Sequence, residues 1–491
     1  MEGSRTATSA AAAAAEGSSM QQQQPQTTAD PFATPGPDNT DNPFATPVAA
    51  TPAAESVTSR QLGLPRNTSS FEASSGVRRR FRSSRLHGEF EKPWLETKKK
   101  QWNWDSTIFY TCVFLGLGVG GFLCWKETNV PKHDYCLVMD DHFQNLNNWN
   151  HEVQMNGFGT GAFDWTTDDP ANSYVDAEGL HIVPTATLES TSITRAQLEN
   201  GFTVNMTTNS KTWGTCTSKT IKKDNDRWPC ASRSNATLGQ IINPVRSARL
   251  NTKGKKSIRY GRVEVVARMP KGDWLWPAIW MMPQDDVYGE WPKSGEIDIA
   301  ESRGNDAKTY PMGNNLVSSA LHWGTATEND RWRRAYGEWG GKRVLYSERF
   351  HTYGLEWSEK YLFTWLDGRL RQVQFFDFTK NKNLWTYGEF AGESINGSIP
   401  VDPWSSTGRK NTPFDEKFFL ILNVAVGSTN GWFPDAVGDK PWADSSETPM
   451  RDFWKANETW LPTWGPVKDR GMVVKSVKMW QEGACGTVKS T

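Results

Sequence analysis

Hydrophobic residues are sparse at the start of the chain and then form one unbroken apolar run. Residues 1–104 are dominated by Ala, Ser, Thr, Gln, Pro and charged residues, a pattern that cannot bury a core and predicts a disordered tail. The stretch 107–125 then contains 19 residues without a charge. As a helix it would be roughly 28 Å long, close to the hydrocarbon thickness of a bilayer. The pattern predicts a transmembrane helix over 105–126 and a short stalk over 127–132.

Beyond residue 133 the hydrophobic pattern changes to short runs of β-branched and aromatic residues. Gly, Asn, Asp and Pro separate these runs, and several runs alternate with a period of two, as in 260–269 (YGRVEVVARM). The run 418–426 (FFLILNVAV) is apolar throughout. No long stretch keeps a helical period. We therefore predict an all-β domain over 133–491, built as a jelly-roll β-sandwich with long loops.

The charge distribution predicts how the chain is oriented in the membrane. The sequence has 55 basic and 55 acidic side chains, and a net charge of zero argues against a nucleic-acid protein with a broad basic surface. Nine Lys or Arg lie in 78–100, whereas 126–145 contains two. Basic residues favour the cytoplasmic side. We predict a single-pass type II protein of the secretory pathway or plasma membrane, with the β domain lumenal or extracellular.

The tail contains a duplicated hexapeptide, DPFATP at 30–35 and NPFATP at 42–47. The Asn-Pro-Phe of the second copy is a candidate ligand for a trafficking adaptor. A neutral spacer with a local turn is the alternative interpretation.

Cysteines and glycosylation sequons agree with a lumenal domain. Four cysteines follow the apolar run and allow three pairings. In an oxidising lumen we favour a bond that closes a loop and a bond that ties the first strand to the last. The favoured pairs are Cys216 with Cys230 and Cys136 with Cys485. Candidate glycosylation sites are Asn205, Asn235, Asn396 and Asn457.

The candidate chemistry lies in 291–302 (WPKSGEIDIAES). On a regular strand Glu296 and Asp298 share one face, and Glu301 points to the other. A β-bulge between Asp298 and Glu301 would insert one residue and return Glu301 to the shared face. Clustered carboxylates separate their pKa values, which supplies a general acid and a nucleophile as in a retaining glycosidase. A solvated acidic edge strand is the alternative.

Tryptophans surround this segment: Trp276 and Trp280 precede it, and Trp291 lies five residues before Glu296. Trp rings cover the C–H faces of sugars, although core packing is the alternative for each of them. His322 fits a neutral hydrogen-bonding residue near the groove, or a structural residue. The sequence has no HExxH, CxxC, P-loop or GxSxG motif. We therefore predict no required cofactor, and a structural calcium ion is allowed but not indicated.

The octapeptide GEIDIAES resembles the catalytic signature of glycoside hydrolase family 16, the concanavalin-like jelly-roll glucanases. Residues 247–305 resemble the laminarinase branch, which includes animal β-1,3-glucan recognition proteins. The block 418–435 (FFLILNVAVGSTNGWFPD) is similar as well, and the resemblance extends from about Tyr135 to the end of the chain. It implies a concanavalin-like jelly roll for the whole β domain.

The resemblance also implies residue roles. Glu296 would be the nucleophile, Glu301 the acid/base, and Asp298 the residue that orients the nucleophile and tunes its charge. The implied sugar-binding residues are Arg262, Trp276, Trp280, Trp291 and His322.

The sequence as a whole predicts a membrane-anchored retaining β-glucanase. It would hydrolyse internal β-1,3 or mixed β-1,3/1,4 bonds of cell-wall glucan. Some recognition proteins of this branch have lost the catalytic glutamates, whereas all three acids are present here. The anchor and tail depart from secreted laminarinases and are similar to fungal type II cell-wall assembly proteins. A glucan transglycosylase, a non-catalytic glucan receptor and a scaffold for a wall-synthesis complex remain as alternatives.

Overall fold

A computed structural model describes residues 87–96, 102–128, 133–220, 227–395 and 397–486. The chain divides into two units after Trp102. The predicted tail lies almost entirely outside the described residues, as do its Asn-Pro-Phe motif, most of the stalk and Asn396. The helices are α1 (Pro93–Glu96), α2 (Trp104–Thr128), α3 (Thr187–Ser190), α4 (Arg195–Glu199), α5 (Ser210–Trp213), α6 (Leu384–Gly388), α7 (Pro449–Lys455), α8 (Asn457–Trp460) and α9 (Val467–Arg470).

Helix α2 contains the apolar run. It has 25 residues, and the span Trp104–Lys126 is long and apolar enough to cross a membrane. None of the apolar window is buried inside the described protein, so α2 is not a core helix. Between Ile108 and Trp125 the helix carries no charged side chain on any face, which suits a lipid environment better than a water-exposed surface.

The β domain consists mainly of strands, with short 3₁₀ turns at Thr327–Asn329, Trp332–Ala335, Ser405–Thr407 and Leu461–Trp464. The strands are β1 (Tyr135–Asp141), β2 (Asn150–His151), β3 (Asp164–Thr166), β4 (Ser173–Asp176), β5 (Gly179–Ile182), β6 (Thr185–Ala186), β7 (Thr203–Asn205), β8 (Ala231–Arg233), β9 (Val245–Ser247), β10 (Arg249–Asn251), β11 (Gly261–Arg268), β12 (Leu275–Pro283), β13 (Glu296–Ser302), β14 (Leu316–His322), β15 (Tyr336–Gly340), β16 (His351–Trp357), β17 (Tyr361–Leu366), β18 (Gly368–Asp377), β19 (Phe418–Val426) and β20 (Met472–Glu482).

Two antiparallel sheets form the sandwich. Sheet I has the order β18-β17-β16-β11-β20-β5-β4, with β1 also paired to β20, and sheet II has the order β15-β14-β13-β12-β19-β10-β2. Two smaller sheets, β3-β9-β6 and β7-β8, lie outside this pair. The predicted all-β jelly-roll sandwich is confirmed.

The period-two pattern of the sequence explains which face of each strand is buried. In β11, Val263 and Val265 are fully buried, whereas Arg262 and Glu264 between them are partly exposed. The buried rows of both sheets join one hydrophobic core. A hydrogen bond of 2.8 Å from the Thr364 hydroxyl in sheet I to the Ser319 hydroxyl in sheet II crosses this core.

The four cysteines of the β domain form two disulfides. Cys136 at the start of β1 is bonded to Cys485 beyond the end of β20. Cys216 is bonded to Cys230, 14 residues further along the chain, and closes a loop. The first bond ties β1, the strand that follows α2, to the end of β20, the last strand of the domain.

The structure corrects one predicted glycosylation site. Asn457 begins α8 with only 7% of its surface exposed, and its amide nitrogen donates to the carbonyl of Trp454. A glycan has no room at this buried position, so the prediction for Asn457 is wrong. Asn205 and Asn235 are partly exposed, and glycosylation at both positions stays a prediction.

Candidate active site

A β-bulge in β13 brings the three carboxylates together. Asp298 pairs with Trp280 of β12, and Glu301 pairs with Ala278 of the same strand. Between these two pairs, Ile299 and Ala300 of β13 face the single residue Ile279 of β12. The register shifts at the same place against β14. The predicted bulge between Asp298 and Glu301 is confirmed. It places Glu296, Asp298 and Glu301 on the face of sheet II that points away from the core, here called the groove face.

Indole N–H groups fix the two glutamates. Trp291 donates a hydrogen bond of 2.5 Å to Glu296 Oε2, and Trp276 donates one of 2.9 Å to Glu301 Oε1. Both tryptophans were predicted from the sequence as sugar-binding residues. In the structure each contacts one end of the carboxylate cluster, so each also orients an acidic group.

His322 lies between two aspartates. Its Nε2 is 3.0 Å from Asp298 Oδ2, and its Nδ1 is 2.5 Å from Asp330 Oδ2. Burial alone would lower the pKa of His322, but the charges of Asp298 and Glu296 outweigh burial and raise the pKa well above its ordinary value. The neighbouring carboxylates therefore favour the protonated form of the ring. The sequence analysis expected a neutral histidine, and the structure places the ring between two carboxyl groups.

Ligand atoms of Glu296, Asp298 and His322 lie within 4.8 Å of one another, close enough to surround an ion. A protonated His322 would itself supply a positive charge beside these carboxylates.

Burial raises the pKa of all three carboxyl groups. The pKa of Glu301 rises to about 7, although the charge of His322 and the hydrogen bond from Trp276 oppose the rise. For Glu296, burial and the neighbouring Asp298 charge both raise the pKa. For Asp298, burial and the charge of Glu301 do the same. The cluster therefore holds protons near pH 7 and can both donate and accept them.

Arg262 is not part of this site, so its prediction as a sugar-binding residue is wrong. It lies in β11 of sheet I, on the opposite side of the sandwich, and forms an ion pair with Glu264. The arginine on the groove face is Arg249 of β10. Its guanidinium lies 4.7 Å from the Trp280 ring and 4.1 Å from the Phe158 ring.

The sequence analysis also missed the residues that contact Trp276 and Trp280, the two sugar-binding tryptophans predicted on β12. Trp432 stacks on Trp276 with ring centroids 4.8 Å apart, and Arg303 lies 3.8 Å above the Trp432 ring. Trp280 donates a hydrogen bond of 2.7 Å to Asn423. Asn423 and Trp432 belong to the block 418–435, whose resemblance to laminarinases was the available signal. Arg303 lies two residues after Glu301 and gave no separate signal.

The β domain is similar to known proteins. Residues 196–407 match the family described as glycosyl hydrolases family 16. A beta-1,3-glucan-binding protein of Penaeus monodon is 37% identical, and the alignment covers 70% of this chain and 90% of that protein. A glucan endo-1,3-beta-glucosidase of Cryptopygus antarcticus is 36% identical over 45% of this chain and 66% of that enzyme. These relatives are arthropod proteins, and a fungal source for this chain stays a prediction.

Among solved structures, the catalytic domain of an endo-1,3-beta-glucanase (laminarinase) from Thermotoga petrophila RKU-1 aligns with a TM-score of 0.43. Its sequence is 21% identical, and the alignment covers 72% of this chain and 100% of that domain.

Proposed function

This chain belongs to glycosyl hydrolases family 16, and from that premise we propose that it is a membrane-anchored retaining β-1,3-glucanase. The observation that carries the proposal is the bulged strand β13, which sets Glu296, Asp298 and Glu301 on one face. Two glutamates on one face, each held by an indole donor, provide the two carboxyl groups that a glycosidase needs. Internal β-1,3 or mixed β-1,3/1,4 bonds of cell-wall glucan are the proposed substrate.

The proposed reaction has two steps. Glu301 protonates the oxygen of the scissile bond while Glu296 attacks the anomeric carbon, which gives a covalent glycosyl-enzyme. Glu301 then removes a proton from the incoming water, and that water displaces Glu296. A Glu301 pKa of about 7 suits a group that must donate a proton in one step and accept one in the next.

Asp298 and His322 would set the charge of the nucleophile. Glu296 must be ionised to attack. Burial and the Asp298 charge raise the pKa of Glu296 to about 8, and the charge of His322 and the hydrogen bond from Trp291 oppose that rise. Asp298 lies 3.0 Å from His322, and its negative charge raises the pKa of Glu296 while the positive charge of His322 lowers it. We assign Asp298 the positioning role that the family resemblance implies.

Aromatic residues on either side of the carboxylates would bind the sugar chain. The stacked pair Trp276 and Trp432 adjoins Glu301, Trp291 adjoins Glu296, and Trp280 with Arg249 continues the groove face toward β10. Aromatic rings match the apolar faces of glucose, and the amide and guanidinium groups beside them can bind its hydroxyls.

The protonation state of Glu301 gives a pH prediction. We expect kcat/KM to fall as the pH rises through about 7, because the general acid then loses its proton. Trp276→Phe removes a hydrogen bond that lowers the pKa of Glu301. This variant should therefore move the alkaline limb of the pH profile to higher pH, as measured by initial rates on laminarin across the pH range.

Trp280→Phe is the matched control for that experiment. It removes an indole bond to Asn423 and leaves the bond to Glu301 in place, so it should weaken glucan binding without moving the alkaline limb. A limb that stays in place in Trp276→Phe, or moves to lower pH, would contradict the assignment of Glu301.

A non-catalytic glucan receptor is the second candidate, because the Penaeus monodon relative is named as a glucan-binding protein. Chromatographic sizing of the products formed from laminarin separates the candidates. Shortened chains are the expected result and indicate hydrolysis. Chains longer than the donor would indicate a transglycosylase, and bound laminarin of unchanged size would indicate a receptor.

The proposed arrangement in the cell is that of a type II membrane protein. Helix α2 would span the membrane, residues 1–104 would lie in the cytoplasm, and the domain 133–491 would lie in the lumen or outside the cell. The two disulfides fit an oxidising compartment. The Asn-Pro-Phe segment of the tail would then be available to a cytoplasmic trafficking adaptor.

A further inference from the structure

His322 is contacted at both ring nitrogens, and one of its two partners lies outside the carboxylate cluster. His322 of β14 pairs directly with Glu296 of β13, so its side chain lies beside the proposed nucleophile on the groove face. Its Nε2 is 3.0 Å from Asp298 Oδ2, and its Nδ1 is 2.5 Å from Asp330 Oδ2. Asp330 is therefore joined to the carboxylate cluster through the histidine ring.

The backbone of the loop after β14 fixes the Asp330 carboxylate. The N–H groups of Trp323 and Trp332 donate to Asp330 Oδ1 at 3.2 and 3.3 Å, which leaves Oδ2 for the histidine. Only 9% of the Asp330 side chain is exposed, so its carboxylate is largely shielded from a sugar chain in the groove. A buried carboxylate that accepts two backbone hydrogen bonds has little freedom to turn away from His322.

The loop is anchored on both sides of this aspartate. On one side, the side-chain oxygen of Asn329 accepts hydrogen bonds of 2.9 Å from the backbone N–H groups of Thr325 and Ala326. On the other side, Arg331 Nε donates a hydrogen bond of 2.7 Å to the carbonyl of Gly388. These contacts hold the carboxylate in one place relative to β14.

A second histidine–aspartate pair, in sheet I, shows what is particular to the pair at the groove. His351 Nδ1 is 2.9 Å from Asp367 Oδ2, and Asp367 Oδ1 accepts a hydrogen bond of 3.1 Å from the backbone N–H of Thr352. The Nε2 of His351 is buried and has no hydrogen-bond partner among the residues that the structure describes. The same carboxylate arrangement therefore leads on to the acidic cluster at His322 and ends at the ring at His351.

We propose that Asp330 is a positioning residue of the glucanase reaction, which holds the His322 ring with its Nε2 toward Asp298. The inference rests on the proposed function, because it concerns the same nucleophile. A carboxylate that accepts the Nδ1 proton fixes both the orientation of the ring and the nitrogen that carries that proton. Burial and the Asp298 charge raise the pKa of Glu296, and the charge of a protonated His322 opposes that rise. The position of the ring therefore affects how much of Glu296 is in the form that attacks.

The test is a double-mutant cycle on the full-length protein in detergent, with kcat on laminarin as the readout. The single variants are Asp330→Asn and His322→Ala, and a third protein carries both changes. The two backbone N–H groups retain the amide oxygen of the Asp330→Asn side chain, so its NH2 group faces Nδ1 and cannot accept the proton there. Asp330→Ser is a second variant, because its hydroxyl can accept from the backbone but is too short to reach the ring. Asp367→Asn is the matched control in sheet I.

We expect Asp330→Asn and Asp330→Ser each to lower kcat by about 10- to 100-fold, the effect of losing one hydrogen bond to a charged group. Laminarin binding, measured by titration calorimetry, should stay unchanged. Adding Asp330→Asn to His322→Ala should change kcat by less than about twofold, because no ring is left to position. The Asp367→Asn control should keep the kcat of the wild type.

Losses of kcat that multiply in the double variant would show that Asp330 acts independently of His322 and would overturn the inference. An unchanged kcat in both Asp330 variants would overturn it as well. Laminarin binding lost in both variants would assign Asp330 to the fold of the groove instead. A wild-type protein that binds laminarin without turnover would overturn the proposed glucanase function and this inference with it, whereas the other outcomes concern Asp330 alone.

Discussion

Replacing Glu296 with Gln is expected to lower kcat on laminarin by about 10⁴- to 10⁶-fold, the size of loss seen when a covalent nucleophile is removed. Gln has nearly the shape of Glu, and its amide oxygen can still accept the hydrogen bond from Trp291. The groove and its aromatic residues stay in place, so laminarin should still bind. Release of reducing ends measures turnover, and isothermal titration with laminarin oligosaccharides measures binding.

Glu348→Gln is the matched control for the nucleophile variant. Glu348 is exposed in the loop before β16, and the same change of charge there should leave turnover unchanged. A Glu296→Gln protein with normal turnover would remove Glu296 from the mechanism. Binding lost together with turnover would indicate instead that the variant disturbs the groove.

Replacing Glu301 with Gln is expected to lower the rate on laminarin by about 10²- to 10⁴-fold, because a sugar leaving group departs only with general-acid assistance. A dinitrophenyl laminaribioside carries a leaving group that needs no proton, so formation of the glycosyl-enzyme should be far less affected with this substrate. Hydrolysis of that intermediate would remain slow without a general base. Added azide, which needs no deprotonation, should then restore turnover and give a β-glycosyl azide.

Glu338→Gln is the control for the acid/base variant. Glu338 of β15 pairs with Ser318 of β14, and Ser318 pairs with Glu301 of β13. Glu338 is therefore an exposed glutamate on the same face of sheet II as Glu301, two strands away from it. The Glu338→Gln variant should keep its activity on laminarin, and added azide should not increase its rate of turnover. A Glu301→Gln protein that azide does not rescue would contradict the acid/base role.

Local spacing was enough to predict the arrangement of the carboxylates. An odd separation between Asp298 and Glu301 requires a bulge if both are to line one groove, and β13 has that bulge. The same period-two logic identified the strands and the all-β sandwich. These features depend on residues that are close in sequence, so the sequence contains the information needed to infer them.

The sheet to which a strand belongs and the charge of a buried side chain depend on residues far apart in the chain. The sequence predictions for Arg262 and His322 differed from the structure for this reason. β11 and β12 follow one another closely in the sequence but belong to different sheets, so Arg262 lies across the sandwich from Trp276. The charge of His322 depends on Asp298 and Asp330, which only the folded sheet brings to its two ring nitrogens. Similarly, nothing in the sequon at Asn457 indicates that folding buries it.

The central claim is that this protein cleaves β-1,3-glucan by double displacement and does not merely bind it. Proton nuclear magnetic resonance of the first products released from laminarin oligosaccharides tests that claim most directly. We predict that the new reducing ends appear first as the β-anomer and then mutarotate to the equilibrium mixture. An α-anomer as the first product, or bound oligosaccharide that is never cleaved, would contradict the claim.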